Sequence, residues 1–241
     1  MTVPDFQRAR SAEAKQLRES AILEAARTLG AERGIRQITL TDIAEAVGMH
    51  KSALLRYFET REEIFLRLTA DGWREWSAAL RTELEGLQSV HGTQSVHGTQ
   101  GVSGAQEVPR VSAATPAAVA GAFASTLAAR GLFCDLLAQA PLNLERNVSL
   151  ETVRAFKLVT LAEVKAIVAA VRRLLPALSE LDGVDLIAAA TAMSGAFWQM
   201  ATPGPEVAAL YRSDPRLAHA VVDVEPRVAR LLAAMLAGMR A

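Results

Sequence analysis

The chain is poor in the features that mark secreted proteins. It has a single cysteine, Cys134, among 241 residues, which excludes an intrachain disulfide. That cysteine stands in the apolar segment GLFCDLL, which predicts a buried structural thiol rather than a redox switch. No positively charged start followed by an apolar core is present, so we expect no signal peptide and a cytoplasmic location.

Aromatic residues are also scarce, and no apolar run is clearly long enough for a membrane span. Phe, Trp and Tyr make up 5% of the chain, too little for a typical β-sandwich core, whereas a hydrophobic content of 51%, mostly Ala, Leu and Val, favours helices. The uncharged stretch 186–202 is borderline in length and contains Thr191, Ser194 and Gln199. We therefore expect a buried helix there and no membrane partner.

Net positive charge is absent, although proteins that bind DNA through bulk charge carry it. The 26 basic residues are balanced by 26 acidic ones, and the first 70 residues hold 11 basic and 10 acidic residues. A DNA-binding role would therefore require the fold to place basic side chains locally, on one face.

Catalytic and metal-binding motifs are missing as well. The sequence has no His-Glu-x-x-His motif, no phosphate-binding Gly-rich loop, no nucleophile elbow and no paired cysteines. His91 and His97 occupy matching positions in the tandem repeat SVHGTQ-SVHGTQ, but two histidines in a Gly-rich loop without a carboxylate are weak evidence for a metal site. We expect no enzymatic activity, no metal and no cofactor.

The stretch Thr39–Phe65 carries the most specific pattern. Thr39 and Asp42 have the spacing of a helix-capping box, and apolar residues then fall on one helical face until Gly48 ends the helix. A second helix is predicted over Lys51–Phe58, with basic residues and no acidic one. A third begins after a second capping-box pair, Thr60 and Glu63, and continues to about Leu87. Three helices in this order are typical of a helix-turn-helix unit that presents a short basic helix to the DNA major groove.

These residues resemble the N-terminal domain of tetracycline-repressor-type (TetR-family) regulators. The anchors that keep the family spacing are Ile43-Ala44-Glu45-Ala46 with Gly48, then Leu54, Arg56, Phe58 and Arg61-Glu62-Glu63, preceded by Ile22–Ala26 and Glu32–Gly34. The resemblance covers about residues 12–68. Four positions depart from the family pattern: Leu55 replaces a common Tyr, Tyr57 a His, His50 a capping Ser, and Gly30 a core Phe.

The resemblance implies an all-α fold with a DNA-binding head and a C-terminal helical bundle. It places base contacts at the start of the recognition helix, at His50, Lys51 and Ser52. Phosphate contacts are expected from Arg56 and Tyr57, from Arg61 at the start of the next helix, and from Thr39 and Thr41. Four residues of the head are expected in its core rather than on DNA: Ala44, Val47, Leu54 and Phe58.

The domain organisation follows from the same patterns. We expect a flexible arm over 1–10, a helix capped at Ser11, a DNA-binding domain over 11–70, and an effector-binding and dimerisation domain over 71–241 with a flexible loop at about 88–114. The later helices are predicted at about 115–129, from 131 to before Pro141, at 149–175, from 182 or 183 to 202, at 206–211, and from a cap at Asp223 to the end.

The C-terminal domain has two expected roles. Small residues at Ala188, Ala192 and Ala196 would let helices approach closely, and with the last helix they predict a homodimer that could present two heads to an inverted-repeat operator in double-stranded DNA. By the family resemblance, middle helices enclose a pocket for an unknown small-molecule effector. Its candidate wall residues are Phe123, Phe133, Phe156, Met193, Phe197 and Trp198. No charged cluster is visible among them, so an apolar or weakly polar effector is expected.

The sequence thus predicts a homodimeric transcriptional repressor that a small hydrophobic effector releases from DNA. Two alternatives stay open. One is a regulator controlled by a partner protein or by its abundance, without a ligand. The other is a helical protein that binds or sequesters small molecules and whose head is impaired for DNA, because Leu55 lacks the Tyr hydroxyl and the head is nearly neutral.

Overall fold

The computed structural model describes residues 3–93 and 115–239, with the backbone alone for 3–12 and 89–93. Within these ranges the chain forms ten α-helices joined by short helical turns, without a β-strand, so the predicted all-α fold is confirmed. The helices are α1 (Val3–Arg33), α2 (Leu40–Ala46), α3 (Lys51–Leu54), α4 (Arg61–Thr93), α5 (Pro116–Ala128), α6 (Gly131–Gln139), α7 (Leu150–Leu174), α8 (Glu180–Ala201), α9 (Pro205–Ser213) and α10 (Val224–Gly238).

The chain divides into two compact units, 1–73 with 131–160 and 74–130 with 161–241. The first unit therefore contains α6 and the start of α7 in addition to the helix-turn-helix. This division does not follow the boundary at 70/71 that the sequence predicts, because contacts in space rather than chain order define a compact unit.

The first unit is held by close packing around two glycines. A Cβ on Gly30 would lie 3.1 Å from Ile35 Cγ2 and from Leu132 Cδ1, so these side chains and the ring of Phe65 occupy the space of the Phe expected there. A Cβ on Gly72 would lie 2.3 Å from the ring of Phe133, which packs edge-on against Trp73 at 5.9 Å. Glycine at both positions lets side chains of α6 approach the backbones of α1 and α4.

The second unit is built on α10, which packs mainly against α5 and also against α8. Trp76 is fully buried, stacks edge-on against Phe123 at 6.0 Å, and donates from Nε1 to Thr126 Oγ1 at 3.1 Å. The hydrogen bond satisfies the indole N–H, which would otherwise be costly to bury. Gly183 allows α8 to approach Val168, whose Cγ1 lies 3.0 Å from a hypothetical Cβ.

Several predicted helix boundaries were wrong. α1 begins at Val3 rather than at Ser11, so its backbone is helical through most of the predicted arm. α4 continues to Thr93, through part of the first repeat copy, although the apolar pattern predicts its end at about Leu87. Ser and His are only moderately unfavourable inside a helix, so they do not stop it. The second repeat copy and the rest of the predicted loop, including His97, lie outside the described residues.

Other boundaries differ towards the C-terminus. α8 begins at Glu180 after the N-cap Ser179, which forms a capping box with Asp182, so the predicted start at Asp182 or Gly183 was two or three residues late. A 3₁₀-helix at Pro215–Ala220 and a π-helical turn at Ala140–Leu144 were not predicted. Asp223 precedes α10 as expected but makes no capping hydrogen bond through its side chain.

Cys134 lies fully buried in α6, as predicted. Burial, and secondarily the neighbouring Asp135, raises the pKa of the Cys134 thiol to about 12, so the thiol stays protonated at neutral pH. No single helix of the described residues has the length and apolarity to cross a membrane; α5 and the segment Gly131–Leu144 meet that test only when taken together across a bend.

Candidate DNA-binding surface and effector region

The first helix of the helix-turn-helix is fixed at its N-terminus by the predicted capping box. Thr39 Oγ1 accepts from Asp42 N at 3.2 Å, and Asp42 Oδ2 accepts from Thr39 N at 2.7 Å. The side-chain and backbone hydrogen bonds of Thr39 hold the pKa of the Asp42 carboxyl below its ordinary value of 3.8. Arg33 reaches the same carboxylate at 3.3 Å and ties the end of α1 to α2.

The turn between α2 and α3 depends on Gly48. Its φ of 65° lies in the left-handed region, where a side chain would be strained. The turn is closed by Met49 N, which donates to Ala44 O at 2.8 Å. This geometry brings the chain directly to His50 at the start of α3.

α3 is capped by His50 in the position where the family commonly has Ser. His50 Nδ1 accepts from Ser52 N at 3.3 Å and lies 2.9 Å from Ser52 Oγ. The helix has only four residues, Lys51–Leu54, and the chain then turns through Tyr57 N and Phe58 N, both bonded to Leu54 O. The predicted helix to Phe58 was therefore too long, because the buried anchor Leu54 ends the regular ladder.

The structure places most predicted DNA contacts on the exposed surface of this unit. The exposed residues are Thr39, Thr41, His50, Lys51, Ser52 and Arg56, whereas Tyr57 is partly buried. Neither Lys51 nor Arg56 forms an ion pair in the described part of the chain. Of the predicted core residues, Ala44, Leu54 and Phe58 are buried, whereas Val47 is partly exposed and its prediction was wrong in degree.

Arg61 is engaged by its own protein. Its Nε donates to the carbonyl of Ile38 and one terminal nitrogen to the carbonyl of Ile35, while the other bonds Glu62 Oε1 at 3.0 Å. The guanidinium also lies 4.7 Å from the centroid of the Phe65 ring, and its side chain is 21% exposed. These contacts fit a structural role and lend no support to the predicted phosphate contact.

Sequence reasoning missed a second arginine near this surface. Arg36 is exposed in the 3₁₀-helix Ile35–Gln37, next to the capped start of α2, and has no ion pair within the described residues. In the sequence, only its position three residues before the helix cap Thr39 indicates that Arg36 lies near α2. Leu55, which replaces the family's Tyr, is 44% exposed and offers no hydrogen-bonding group.

The six predicted effector residues are divided between the two compact units. Phe133 and Phe156 are buried in the first unit, and Phe123 is buried in the second. Met193, Phe197 and Trp198 are partly exposed on α8 in the second unit. Phe123 and Phe133 pack against Trp76 and Trp73 respectively, which is the behaviour of ordinary core residues.

Two buried hydroxyls of the second unit were not predicted from the sequence. Ser77 on α4 and Ser194 on α8 are completely buried, and neither Oγ has a hydrogen-bond partner among the described residues. A buried hydroxyl without a partner costs roughly 1–3 kcal/mol. Such groups are suited to a ligand that carries a polar atom.

One face of α8 is exposed and apolar. The predicted small residues Ala188, Ala192 and Ala196 are all exposed, and the larger exposed residues on the helix are Leu181, Val184 and Met200. Leu181 is 68% exposed and Met200 is 53% exposed, and leaving apolar side chains of this size in water costs free energy. The spacing of three to four residues places them along one stripe.

Comparison with known families agrees with this architecture. Residues 22–68 match the family model described as bacterial regulatory proteins, tetR family, and residues 70–241 match the model described as tetracyclin repressor-like, C-terminal domain. No curated protein matches the chain. The two family models together cover almost the whole chain.

The fold is shared with one solved structure whose TM-score exceeds 0.5, and two others are similar at lower scores. The fatty acid degradation regulator FadR from Bacillus halodurans has 14% sequence identity and a TM-score of 0.52, over 92% of this chain and 96% of that one. FadR from Thermus thermophilus in complex with lauroyl-CoA has 20% identity and a TM-score of 0.47, over 85% and 95%. RolR in complex with resorcinol has 14% identity and a TM-score of 0.48, over 95% and 90%.

The capped and exposed α3, the all-helical C-terminal region and the two family matches lead to one conclusion. The chain belongs to the TetR family and is a DNA-binding transcriptional regulator with a C-terminal ligand-binding domain.

Proposed function

We propose that this protein is a homodimeric repressor that binds an inverted-repeat operator and leaves it when a small hydrophobic effector binds. The observation that carries the DNA-binding half is the start of α3. His50, Lys51 and Ser52 are exposed at a helix N-terminus whose orientation is fixed by the Gly48 turn and by buried Leu54. Lys51 can donate to the guanine acceptors in the major groove.

Contacts to the DNA backbone position this helix. We assign them to Thr39, Thr41, Arg56 and Tyr57, as the sequence predicts, and add Arg36 because it is exposed beside α2. Arg61 is assigned instead to the support of the 3₁₀-helix, because its donors are used within the protein. Placing a few cations on one surface is how a head of almost zero net charge gains DNA affinity.

The homodimer is proposed from the exposed stripe of α8. Alanines at 188, 192 and 196 allow a second helix to approach closely, and flanking Leu181 and Val184 supply apolar area that association would remove from water. A two-fold axis through this region would present two heads to two half-sites one helical turn apart. The expected oligomer in size-exclusion chromatography with light scattering is a dimer.

The effector is proposed to be apolar with at most one or two polar atoms. The interior of the second unit is dominated by Leu, Val, Ala and aromatic side chains, and its unpartnered buried hydroxyls are those of Ser77 and Ser194. A ligand that binds the DNA-released state better than the DNA-bound state shifts the population towards release.

The DNA-binding proposal is tested by selecting bound duplexes from a random pool with the purified full chain at moderate salt. We expect an enriched inverted repeat, and a loss of selectivity at one position of each half-site in Lys51→Ala, by about 1–3 kcal/mol. Lys165→Ala is the matched control, since Lys165 is an exposed lysine of α7.

A pool without enrichment, from a protein that is folded, would contradict the repressor. It would favour the second candidate, a protein that sequesters small molecules with an impaired head. Exposed Leu55, which replaces a phosphate-binding Tyr of the family, is the observation behind that alternative.

A further inference from the structure

The second unit contains a cleft of about 350 Å³ that none of the predicted effector residues lines. It lies where the end of α8, the helix α9, the 3₁₀-helix Pro215–Ala220 and the first turn of α10 meet. All of its lining residues belong to this one unit. The volume is at the lower end of small-molecule sites.

The charge of the cleft is one-sided. Arg227 is its one permanently charged lining residue, and no Asp or Glu lines it. Arg227 is partly buried and has no ion pair or hydrogen bond within the described residues; its guanidinium lies 5.6 Å from the centroid of the Phe197 ring. An arginine held on an aromatic face, with its donors unused, is oriented in advance for a planar anion such as a carboxylate.

Other polar groups of the lining support the same ligand chemistry. The Tyr211 hydroxyl has no hydrogen-bond partner within the described residues and can donate to an anion. His219 Nδ1 donates to the carbonyl of Arg216 at 3.0 Å, so Nε2 of the neutral ring is an acceptor and is not assigned to the anion. Asp214, which does not line the cleft, is paired with Arg216 at 2.6 Å.

The remaining wall is apolar. Met200, Pro203 and Val222 line the cleft, and Met200 is 53% exposed at its edge. A wholly charged ligand would leave this wall without a partner, whereas an amphipathic one would cover it. Apolar walls with a few convergent polar groups are typical of small-molecule sites.

We propose that this cleft binds a small amphipathic carboxylate, with the carboxylate on Arg227 and Tyr211 and the apolar part against Met200 and Val222. None of the aromatic residues predicted to enclose the effector lines this site, and one of them, Phe197, supports Arg227 from behind the lining. Binding in the cleft does not depend on the proposed function; only the further step, in which the ligand acts as an effector, rests on it. Binding itself is measured without DNA, so that failure of the cleft and failure of the repressor are distinguishable.

The test is isothermal titration calorimetry of the full chain with two acids, 4-phenylbutyrate and octanoate, each compared with its uncharged primary amide. We expect each acid to bind and each amide to bind at least tenfold more weakly, because hydrogen bonds to charged groups are worth about that factor or more. Arg227→Gln should lower the acid affinity about tenfold and leave the amide affinity unchanged. Arg227→Lys should recover part of the loss, since it keeps the charge but loses the planar fork.

Arg230→Gln is the matched control, because Arg230 is exposed on the same helix and does not line the cleft. Thermal unfolding of each variant shows whether it is folded before titration. Equal binding of acid and amide, unchanged acid affinity in folded Arg227→Gln, or absence of binding by both acids at millimolar concentration would each overturn the proposal. Addition of the acid to the protein–operator complex then tests separately whether the cleft controls DNA binding.

Discussion

Replacing Arg61 by methionine separates its structural role from a DNA contact. The guanidinium supplies charged donors to the carbonyls of Ile35 and Ile38, and each such hydrogen bond is worth about 1.5–3 kcal/mol. Two effects reduce the loss of stability. The Arg61 side chain is 21% exposed, so water can take over some of its hydrogen bonds, and Ile35 O still accepts from Ile38 N at 3.4 Å. Loss of the cation over Phe65 adds about 0.5–1 kcal/mol.

We therefore expect Arg61→Met to destabilise the protein by about 3 kcal/mol, which for a chain of this length lowers Tm by roughly 6–12 °C. The assay is thermal unfolding followed by circular dichroism, together with the salt dependence of operator affinity at a temperature where the variant is folded. The slope of log affinity against log salt should stay the same, because a residue that touches no phosphate releases no counterion.

Arg56→Met is the comparison variant, since Arg56 is exposed and proposed to contact a phosphate. It should leave Tm almost unchanged and reduce the salt slope by about 1. The reasoning is refuted if Arg61→Met behaves like Arg56→Met, with a normal Tm and a smaller slope. In that case the intramolecular hydrogen bonds of Arg61 would be exchanged for phosphate in the complex at little cost.

Three further perturbations follow from local geometry. Gly72→Ala should destabilise the protein by about 1–3 kcal/mol in thermal unfolding, because its Cβ would overlap the Phe133 ring at 2.3 Å. Gly86→Ala on the same helix meets nothing within 4 Å and should stabilise the protein by about 0.5–1 kcal/mol; loss of stability in both variants would contradict this packing. His50→Ala should cost about 1 kcal/mol in denaturant unfolding and weaken operator binding, with recovery in His50→Ser; failure of Ser to restore stability would argue against the cap. Thr39 lowers the pKa of Asp42 in the folded protein, so the ionised carboxylate stabilises the fold. The difference in unfolding free energy between the unaltered protein and Asp42→Asn should therefore be fully present above pH 3.8 and decline as the pH falls through the lowered pKa of folded Asp42. A difference that does not change between pH 2 and 6 would refute this role of Asp42.

The head could be predicted closely because its determinants are local. Thr39 with Asp42 is a capping pair three residues apart, and Gly48 has the positive φ that its position demands. Both rules concern a single turn of backbone, so the sequence contains everything they need. The position of His50 as N-cap was implied by the family resemblance, in which a capping Ser is common there, whereas the ability of its ring to replace that Ser was not.

Arg61 could not be assigned in the same way. Its partners are carbonyls 23 and 26 residues earlier in the chain, and only the folded packing of α4 against the turn at Ile35–Gln37 reveals them. The predicted effector residues belong to two different compact units. Helical periodicity identifies a buried face but not the helix that packs against it, so the sequence alone does not place these residues in one unit or in two. The cleft at Arg227 combines short segments that carry little periodicity.

The peptide at Ile35 connects these observations to regulation. Its carbonyl accepts from Arg61 at the start of α4, and its N–H donates at 2.9 Å to Asp135, which is buried in α6 and lies 100 residues away in the chain. The backbone of Ile35, just before α2, is thus held on both sides by two helices that are remote from it in sequence. A displacement of either helix therefore has to move the backbone of Ile35 or break a hydrogen bond to it. Since Thr39 and α2 follow within a few residues, the position of α3 depends on α4 and α6, and the proposed release from DNA would act through these two helices.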